Sequence, residues 1–227
     1  MSVAMEIVLE QIKKASMERI RIGLPGGSSA LSLMDEIAQS DLDWSKIDLI
    51  PIDERAVSID DPLSNSGLIQ RRLLVNESGK KKKLCFIDGS DRSDFLVNKL
   101  NNNIVTNSYL TVAVLGMGED GHIASLFPNQ KFNSFSGGRA EAWMATPPAG
   151  IPATARISMT LTHLLKSKCV LLLLSNKKKV QLFEHIMAGN PQPLYPVSFI
   201  FHQDSCPVFI INPDGDLMMI KNKKEDD

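Results

Sequence analysis

The chain has 227 residues, 43% of them apolar and 22% charged, enough to bury a sizeable core in one large domain or two small ones. Its 25 basic and 26 acidic residues leave a formal net charge of −1, so bulk charge offers no attraction to nucleic acid or to an anionic membrane surface. Cys85, Cys169 and Cys206 are widely spaced, form no CxxC and cannot all pair, which points to a reducing compartment instead of a disulfide framework.

The opening sixteen residues, MSVAMEIVLEQIKKAS, carry apolar Val3, Ile7, Val8 and Ile12 with charges between them. That is an amphipathic helix and not a signal sequence, whose apolar stretch would be unbroken. No run reaches the roughly 18 apolar residues of a membrane span, so a cytoplasmic protein without a membrane partner is expected. Residues 19–25, RIRIGLP, read as a strand entering a glycine turn, and 29–40 as a helix with Leu31, Leu33, Met34 and Ile37 in its apolar pattern. A second strand is expected at 47–53, a helix at 64–75, a third strand at 83–88 and a helix at 95–105. Residues 109–117, YLTVAVLGM, have the nearly unbroken apolarity of a strand covered on both faces.

Pro147, Pro148, Gly150 and Pro152 read as one long loop, after which RISMTL (156–161) is a strand or leads into one. CVLLLLS (169–175) is the most apolar run, KKKVQLFEHIMAG (177–189) a helix closed by Gly189, and PVFIIN (207–212) a last strand. The polar tail at 221–227 is expected to fray. Cys169 and Cys206, inside apolar runs, are expected to be buried packing residues. Strand and helix alternate throughout with no repeat and no clear boundary. The expectation is therefore an α/β fold with a mainly parallel sheet, and residues 1–227 as one domain. In such sheets ligands bind beyond the carboxyl ends of the strands, and the candidate motifs fall there.

The first motif is GLPGGSSA (23–30). Gly26 and Gly27 permit a tight turn with positive φ, and Ser28 or Ser29 can cap the following helix. An ordinary capped turn would look similar, but two glycines followed by two hydroxyls exceed what a cap requires and favour an anion site at the helix start. No lysine follows the glycines, so this is not a Walker loop. The second motif is IPIDERAV (50–57), where Asp53, Glu54 and Arg55 close an apolar strand. Such charges are often solvated, but a guanidinium at this end can hold a phosphate with two hydrogen bonds. Asn65 reads first as a helix cap and second as a substrate contact.

The third motif, VLGMGEDGHIASLFP (114–128), contains G-x-G-x-x-G. A dinucleotide turn should open a long helix facing a pyrophosphate. Here Glu119 and Asp120 would repel a diphosphate, and Pro128 limits any helix that follows. The glycines instead suit a bend that projects Asp120 and His122 from the strand end, a carboxylate fixing the tautomer of a general base. With no other clustered histidine or cysteine, the pair gives little support for a metal. The fourth group is cationic: Arg156 at the start of RISMTL, and Lys177, Lys178 and Lys179 after CVLLLLS. No G-x-S-x-G elbow and no H-E-x-x-H occurs, so a serine hydrolase or a zinc peptidase has no support in the sequence.

Four segments together, PGGSSA, DERAV with Ser64 and Asn65 downstream, LGMGEDGHIASLFP, and RISMTLTHLLKSKCVLLLLSNKKK, resemble the short bacterial 6-phosphogluconolactonases. The resemblance implies a Rossmann-like three-layer α/β fold with a mainly parallel central sheet flanked by helices. It implies hydrolysis of 6-phosphoglucono-1,5-lactone without a cofactor, a small sugar-phosphate lactone being the partner molecule. Gly26, Gly27 and Ser28 would receive the phosphate, assisted by Arg55 and Lys178. His122 would be the base, Asp120 its orienting carboxylate, and Arg156 a substrate contact.

The chain departs from that pattern in two places. IDDPLSN (59–65) lacks the histidine usual before the Ser-Asn pair, and Ser175 with three lysines stands where a glycine and one lysine are usual, so Lys177 and Lys179 remain alternatives to Lys178. Glucosamine-6-phosphate deaminases resemble the chain in Asp-Gly-His but continue with an acidic residue, where this chain has Ser125, Leu126 and Phe127. Ser125 is kept with Asp53, Glu54 and Asn65 as a further candidate. A deaminase or a non-catalytic sugar-phosphate binder is the alternative reading. The sequence carries no signal for oligomeric state or for preferred lactone ring size.

Overall fold

The computed structural model describes residues 1–15, 19–74, 83–150, 153–189 and 195–221. In chain order these form α1 (Val3–Lys14), β1 (Ile20–Leu24), α2 (Leu31–Gln39), β2 (Ile47–Pro51), β3 (Asp53–Arg55), α3 (Asn65–Leu73) and β4 (Lys83–Leu84). There follow α4 (Ser93–Asn102), β5 (Val112–Gly116), β6 (Phe135–Ser136), β7 (Arg139–Ala140), β8 (Trp143–Ala149), β9 (Thr154–Met159) and α5 (Leu161–Leu164). The chain then forms β10 (Val170–Leu173), α6 (Lys177–Ala188), α7 (Pro196–His202), β11 (Val208–Ile211) and β12 (Leu217–Lys221).

Seven strands make the main sheet in the order β12-β11-β10-β5-β1-β2-β4. All its neighbours pair parallel except β11 with β12. Because successive side chains of a strand point to opposite faces, an apolar strand feeds two cores. Ile22, Leu49, Val112, Val114 and Leu171 pack on one face with Val8 of α1, Met34 and Ile37 of α2 and Ile69 of α3. Ile50, Ala113, Leu115, Leu172 and Ile210 pack on the other with Leu96 and Leu100 of α4, Phe183 and Ile186 of α6, and Val197 and Ile200 of α7. The result is the helix–sheet–helix layering that the resemblance implies.

A second, antiparallel sheet, β3-β9-β8, lies on the α4 side. Ile52 joins the two sheets: its N–H donates to the Leu24 carbonyl of β1 at 3.0 Å, and its carbonyl accepts from Met159 N–H of β9 at 2.8 Å. The expected strand at 47–53 is thus two strands serving different sheets, which puts Asp53, Glu54 and Arg55 on the smaller one. The expected loop around Pro147 and Pro148 is instead the end of β8. Both prolines fall on an edge strand, inside the register shift between Thr146 and Ala149, where the missing N–H groups break no ladder bond.

Two further expectations change. PVFIIN is not the last strand, since β12 follows and pairs back antiparallel. Gly189 does close α6, but in an extended conformation (φ −92°, ψ 169°) and not as a left-handed cap. Cys169 and Cys206 are buried as expected. Residues 222–227 of the tail lie outside the described residues, and Lys221 ends β12.

Candidate active site

The carboxyl ends of β1 and β5, the start of β3, the start of α3, Arg156 of β9 and the first turn of α6 converge on one cavity of about 230 Å³. It is lined by Gly26, Gly27 and Ser28 on one wall, Gly118, His122 and Ala124 on another, and Asp53, Arg55, Asn65, Arg156 and Lys179 between them. Of the residues expected at a site, Glu54, Asp120, Ser125 and Lys178 do not line it, and each has a physical reason.

Glu54 is fully buried and its carboxylate is consumed at the start of α3. Oε1 accepts from the N–H groups of Asn65 (2.8 Å) and Arg55 (2.7 Å), Oε2 from Ser66 N–H (2.7 Å) and Ser64 Oγ (3.0 Å). Burial raises its carboxyl above the usual range although these donors oppose the shift. Ser64 caps the same helix by accepting from Gly67 N–H. Asn65, expected first as a cap, is instead a brace. Its Nδ2 donates to the Asp53 carbonyl at 2.9 Å, and its Oδ1 accepts from an Arg55 guanidinium nitrogen at 2.9 Å that also reaches the Leu63 carbonyl. A Cβ on Gly26 would stand 1.8 Å from Asn65 Oδ1, so the glycine turn and the Arg55 brace touch only because Gly26 has no side chain. Gly27 sits at φ +77°, a backbone state that favours glycine.

Beyond β5 no helix follows. Gly118 N–H donates to the His122 carbonyl (2.8 Å), Gly121 N–H to the Gly118 carbonyl (3.1 Å), and Met117 pairs with Ile123, which closes a tight loop. Gly121 turns it at φ +79°. A Cβ on Gly118 would lie 2.1 Å from His122 Nδ1 and 2.6 Å from Asp120 Oδ1. These glycines therefore make room for an imidazole and a carboxylate. Without a helix start there is no seat for a pyrophosphate.

Asp120 Oδ1 lies 2.5 Å from His122 Nδ1 and also accepts His122 N–H at 3.2 Å. Burial pushes the Asp120 carboxyl up, but the hydrogen bond and charge of His122 outweigh it and hold the carboxyl below its ordinary value. A carboxylate on Nδ1 assigns the proton to that nitrogen and leaves Nε2 as the acceptor on a ring that lines the cavity.

The cavity is cationic. Arg55 and Arg156 are ladder partners on β3 and β9. Burial and the neighbouring Arg55 push the Arg156 guanidinium down, while Asp53 and Glu54 pull it up. Arg156 is held by the Ala149 carbonyl (3.2 and 3.3 Å) and lies 5.4 Å above the centre of the Phe127 ring. The His122 ring contacts the same Phe127, centroid to centroid, at 4.4 Å. In the sequence Phe127 counts only as one of the residues standing where the deaminases carry an acid, not as a site residue, although an aromatic residue five positions after a candidate base was the available signal. The third cation is Lys179 and not Lys178. Asn176 caps α6 by accepting Lys179 N–H at 3.0 Å, and Lys179 Nζ folds back to Ser175 Oγ at 2.8 Å, while Lys178, about 100° around the helix, is exposed. Burial lowers the Lys179 amine against the pull of Glu119. Among the described residues no group of three or more histidines, cysteines or carboxylates could hold a metal.

Residues 1–209 match the family model described as glucosamine-6-phosphate isomerases/6-phosphogluconolactonase. The chain is 31% identical over 197 residues to a 6-phosphogluconolactonase from Caulobacter vibrioides, covering 85% of this chain and 83% of that protein. A crystal structure of a 6-phosphogluconolactonase from Thermotoga maritima superposes with a TM-score of 0.76 over 92% of this chain and 93% of its own, at 24% identity, which shows a shared fold. A monomeric glucosamine-6-phosphate deaminase superposes equally well (TM-score 0.75, 20% identity, 94% of this chain and 92% of its own), so the fold alone does not separate the two activities.

Proposed function

The chain belongs to the glucosamine-6-phosphate isomerase/6-phosphogluconolactonase family, and from that premise we propose how its cavity works. The protein is a 6-phosphogluconolactonase: it adds water to 6-phospho-D-glucono-1,5-lactone and yields 6-phospho-D-gluconate, a step of the pentose phosphate pathway. The observation that carries the reading of the site is the His122 ring, backed by Asp120, lining the same cavity as the Gly26–Gly27 turn and three cations.

In this reading the 6-phosphate sits against Gly26, Gly27 and Ser28, with Arg55 and Lys179 as its counter-ions. Lys179 takes the place expected for Lys178. An anion there offsets the mutual repulsion of Arg55 and Arg156. Arg156 holds the substrate nearer the reacting end. Water, placed between His122 Nε2 and the lactone carbonyl carbon, forms its new C–O bond while Nε2 takes its proton. Asp120 stabilises the resulting imidazolium. As the ring C–O bond breaks, the imidazolium returns that proton to the leaving ring oxygen, and the new carboxyl ionises to water. An ester already held in a ring needs no nucleophile on the protein, so positioning and a general base suffice.

We read residues 1–227 as one sugar-phosphate-binding unit. A cytoplasmic setting fits its unpaired thiols, with burial pushing Cys169 up to about 12 and Cys206 up to about 11, where neither ionises at neutral pH. The deaminase alternative lacks its acid: Ser125, Leu126 and Phe127 follow the histidine loop, and Asp53 is the one carboxylate among the described residues lining the cavity.

The test generates the lactone in situ with glucose-6-phosphate dehydrogenase. Lactone decay well above the spontaneous rate, with no ammonia released from glucosamine 6-phosphate, is the expected outcome. Tight binding of 6-phosphogluconate without accelerated decay would leave a non-catalytic binder, and ammonia release would favour the deaminase.

A further inference from the structure

Asp53 stands out as a carboxylate in a cavity built for an anion. It is 5% exposed, and all of its neighbours along the wall that carry charge are cations: Arg55, Arg156 and Lys179. A negative group there weakens the grip on a phosphate, so its presence calls for a task. Its two oxygens are treated differently. Oδ2 accepts from Ser125 Oγ at 2.6 Å, whereas Oδ1 has no hydrogen-bond or ion-pair partner among the described residues, on a side chain that lines the cavity. An accessible acceptor on an otherwise buried side chain, facing a ligand space, is what a donor on the ligand would complete.

The side chain is also locked. Asp53 of β3 pairs with Ser158 of β9. Ser158 Oγ accepts Ser125 N–H at 3.2 Å and donates to the Met159 carbonyl at 2.9 Å, and Ser125 Oγ returns to Asp53. Ser125 reaches this fully buried place because Ala124 before it takes φ +48°, a left-handed state uncommon for a residue with a side chain. Such strain persists where the surroundings over-determine it, and here the chain is tied on both sides: Ser125 to β3 and β9, Ile123 to Met117, and His122 before it to Asp120. One strained turn therefore sets the base and the Asp53 carboxylate relative to each other.

We propose that Asp53 Oδ1 accepts a hydrogen bond from a ring hydroxyl of the sugar, making Asp53 the residue that reads hydroxyl pattern, with Ser125 as the positioning residue that aims it. The inference rests on the lactonase reading of the same cavity. It divides the work of the site: cations take the phosphate, His122 takes the water proton, and Asp53 selects polyols over phosphorylated lactones of the same size that lack the hydroxyl.

The test measures binding of 6-phosphogluconate and its 2-deoxy, 3-deoxy and 4-deoxy analogues by calorimetry, and kcat/KM for the corresponding lactones. Wild type, Asp53→Asn, Asp53→Ala and Ser125→Ala are compared. Wild type should discriminate against one deoxy analogue by about 10- to 100-fold, the range of a hydrogen bond to a charged acceptor. Asp53→Ala should erase that discrimination, Asp53→Asn, which keeps one acceptor, should retain part of it, and Ser125→Ala should fall between wild type and Asp53→Ala. Loss of the carboxylate charge in Asp53→Asn and Asp53→Ala should tighten all four phosphorylated ligands by a common factor, so the readout is the ratio between 6-phosphogluconate and the matching deoxy analogue. An unchanged ratio in Asp53→Ala, with all four ligands weakened or tightened equally, would overturn the proposal. If wild type binds with this pattern but does not accelerate lactone decay, the lactonase reading fails and the hydroxyl assignment stands.

Discussion

His122 and His163 each lie against an aromatic ring, His122 at 4.4 Å from Phe127 and His163 at 5.5 Å from Tyr109. Their other neighbours differ. His163, at 5% exposure, offers Nε2 to the Ser108 carbonyl at 3.3 Å, and burial, with some help from Lys166, pushes it down to about 4. It is neutral at any physiological pH and serves the packing of α5. His122 keeps 28% of its side chain exposed, holds a carboxylate at 2.5 Å on Nδ1, and lines a cavity. A ring nitrogen open to a ligand and a counter-ion for the charged form are what separate a proton acceptor from a core residue. Residue type alone does not.

The largest expected effect tests the buried member of the pair. Above pH 6.5 His163 is neutral folded and unfolded, so it adds no pH dependence. Between pH 6.5 and about 4 the unfolded chain takes a proton that the folded chain refuses, and stability should fall by about 3 kcal/mol as the pH drops across that window. Denaturant unfolding at a series of pH values checks this: His163→Gln should remove that slope relative to wild type while leaving kcat near wild type. A parallel slope in both proteins would place the titration elsewhere.

The next effect concerns His122 geometry. Gly118→Ala forces a Cβ to 2.1 Å from Nδ1; the side chains of His122 and Asp120 can give way where backbone could not. A displacement of that order should lower kcat by about 100-fold with little change in melting temperature or in affinity for 6-phosphogluconate. Unchanged kcat would mean that the ring position in the structure is not the productive one.

The smallest effect extends the contrast to carboxylates. Asp120 spends its charge on an imidazole, Glu54 on four donors at the start of α3. Glu54→Gln leaves a buried N–H facing another donor and should cost about 2 kcal/mol of stability. Through Asn65 and Arg55 it should also raise KM for the phosphorylated lactone several-fold at nearly constant kcat. A fall in kcat with unchanged KM would put Glu54 in the chemistry instead of the framework.

Much of the fold was legible because parallel strands buried on both faces read as nearly unbroken apolar runs and amphipathic helices carry a helical period, as β1, β5 and β10 and α1 and α2 respectively do. The small sheet was not, since β3 is three residues long and β8 ends in Pro147 and Pro148, which read as a loop until an edge position and a register shift accommodate them. At the site, the Asp120–His122 loop and the Gly26–Gly27 turn were legible because their glycines have geometric tasks. The choice of Lys179 depended on where α6 is capped by Asn176, and the withdrawal of Glu54 on which helix start would meet it. Both are questions of orientation that residue type leaves open.

The most direct test of the central claim, that His122 Nε2 takes the proton of the attacking water, is lactone hydrolysis by His122→Ala with and without added imidazole. The expected result is loss of roughly 10²- to 10⁴-fold in kcat, near-normal binding of 6-phosphogluconate, and partial recovery that rises with imidazole concentration. Hydrolysis by His122→Ala at the wild-type rate without imidazole would contradict it.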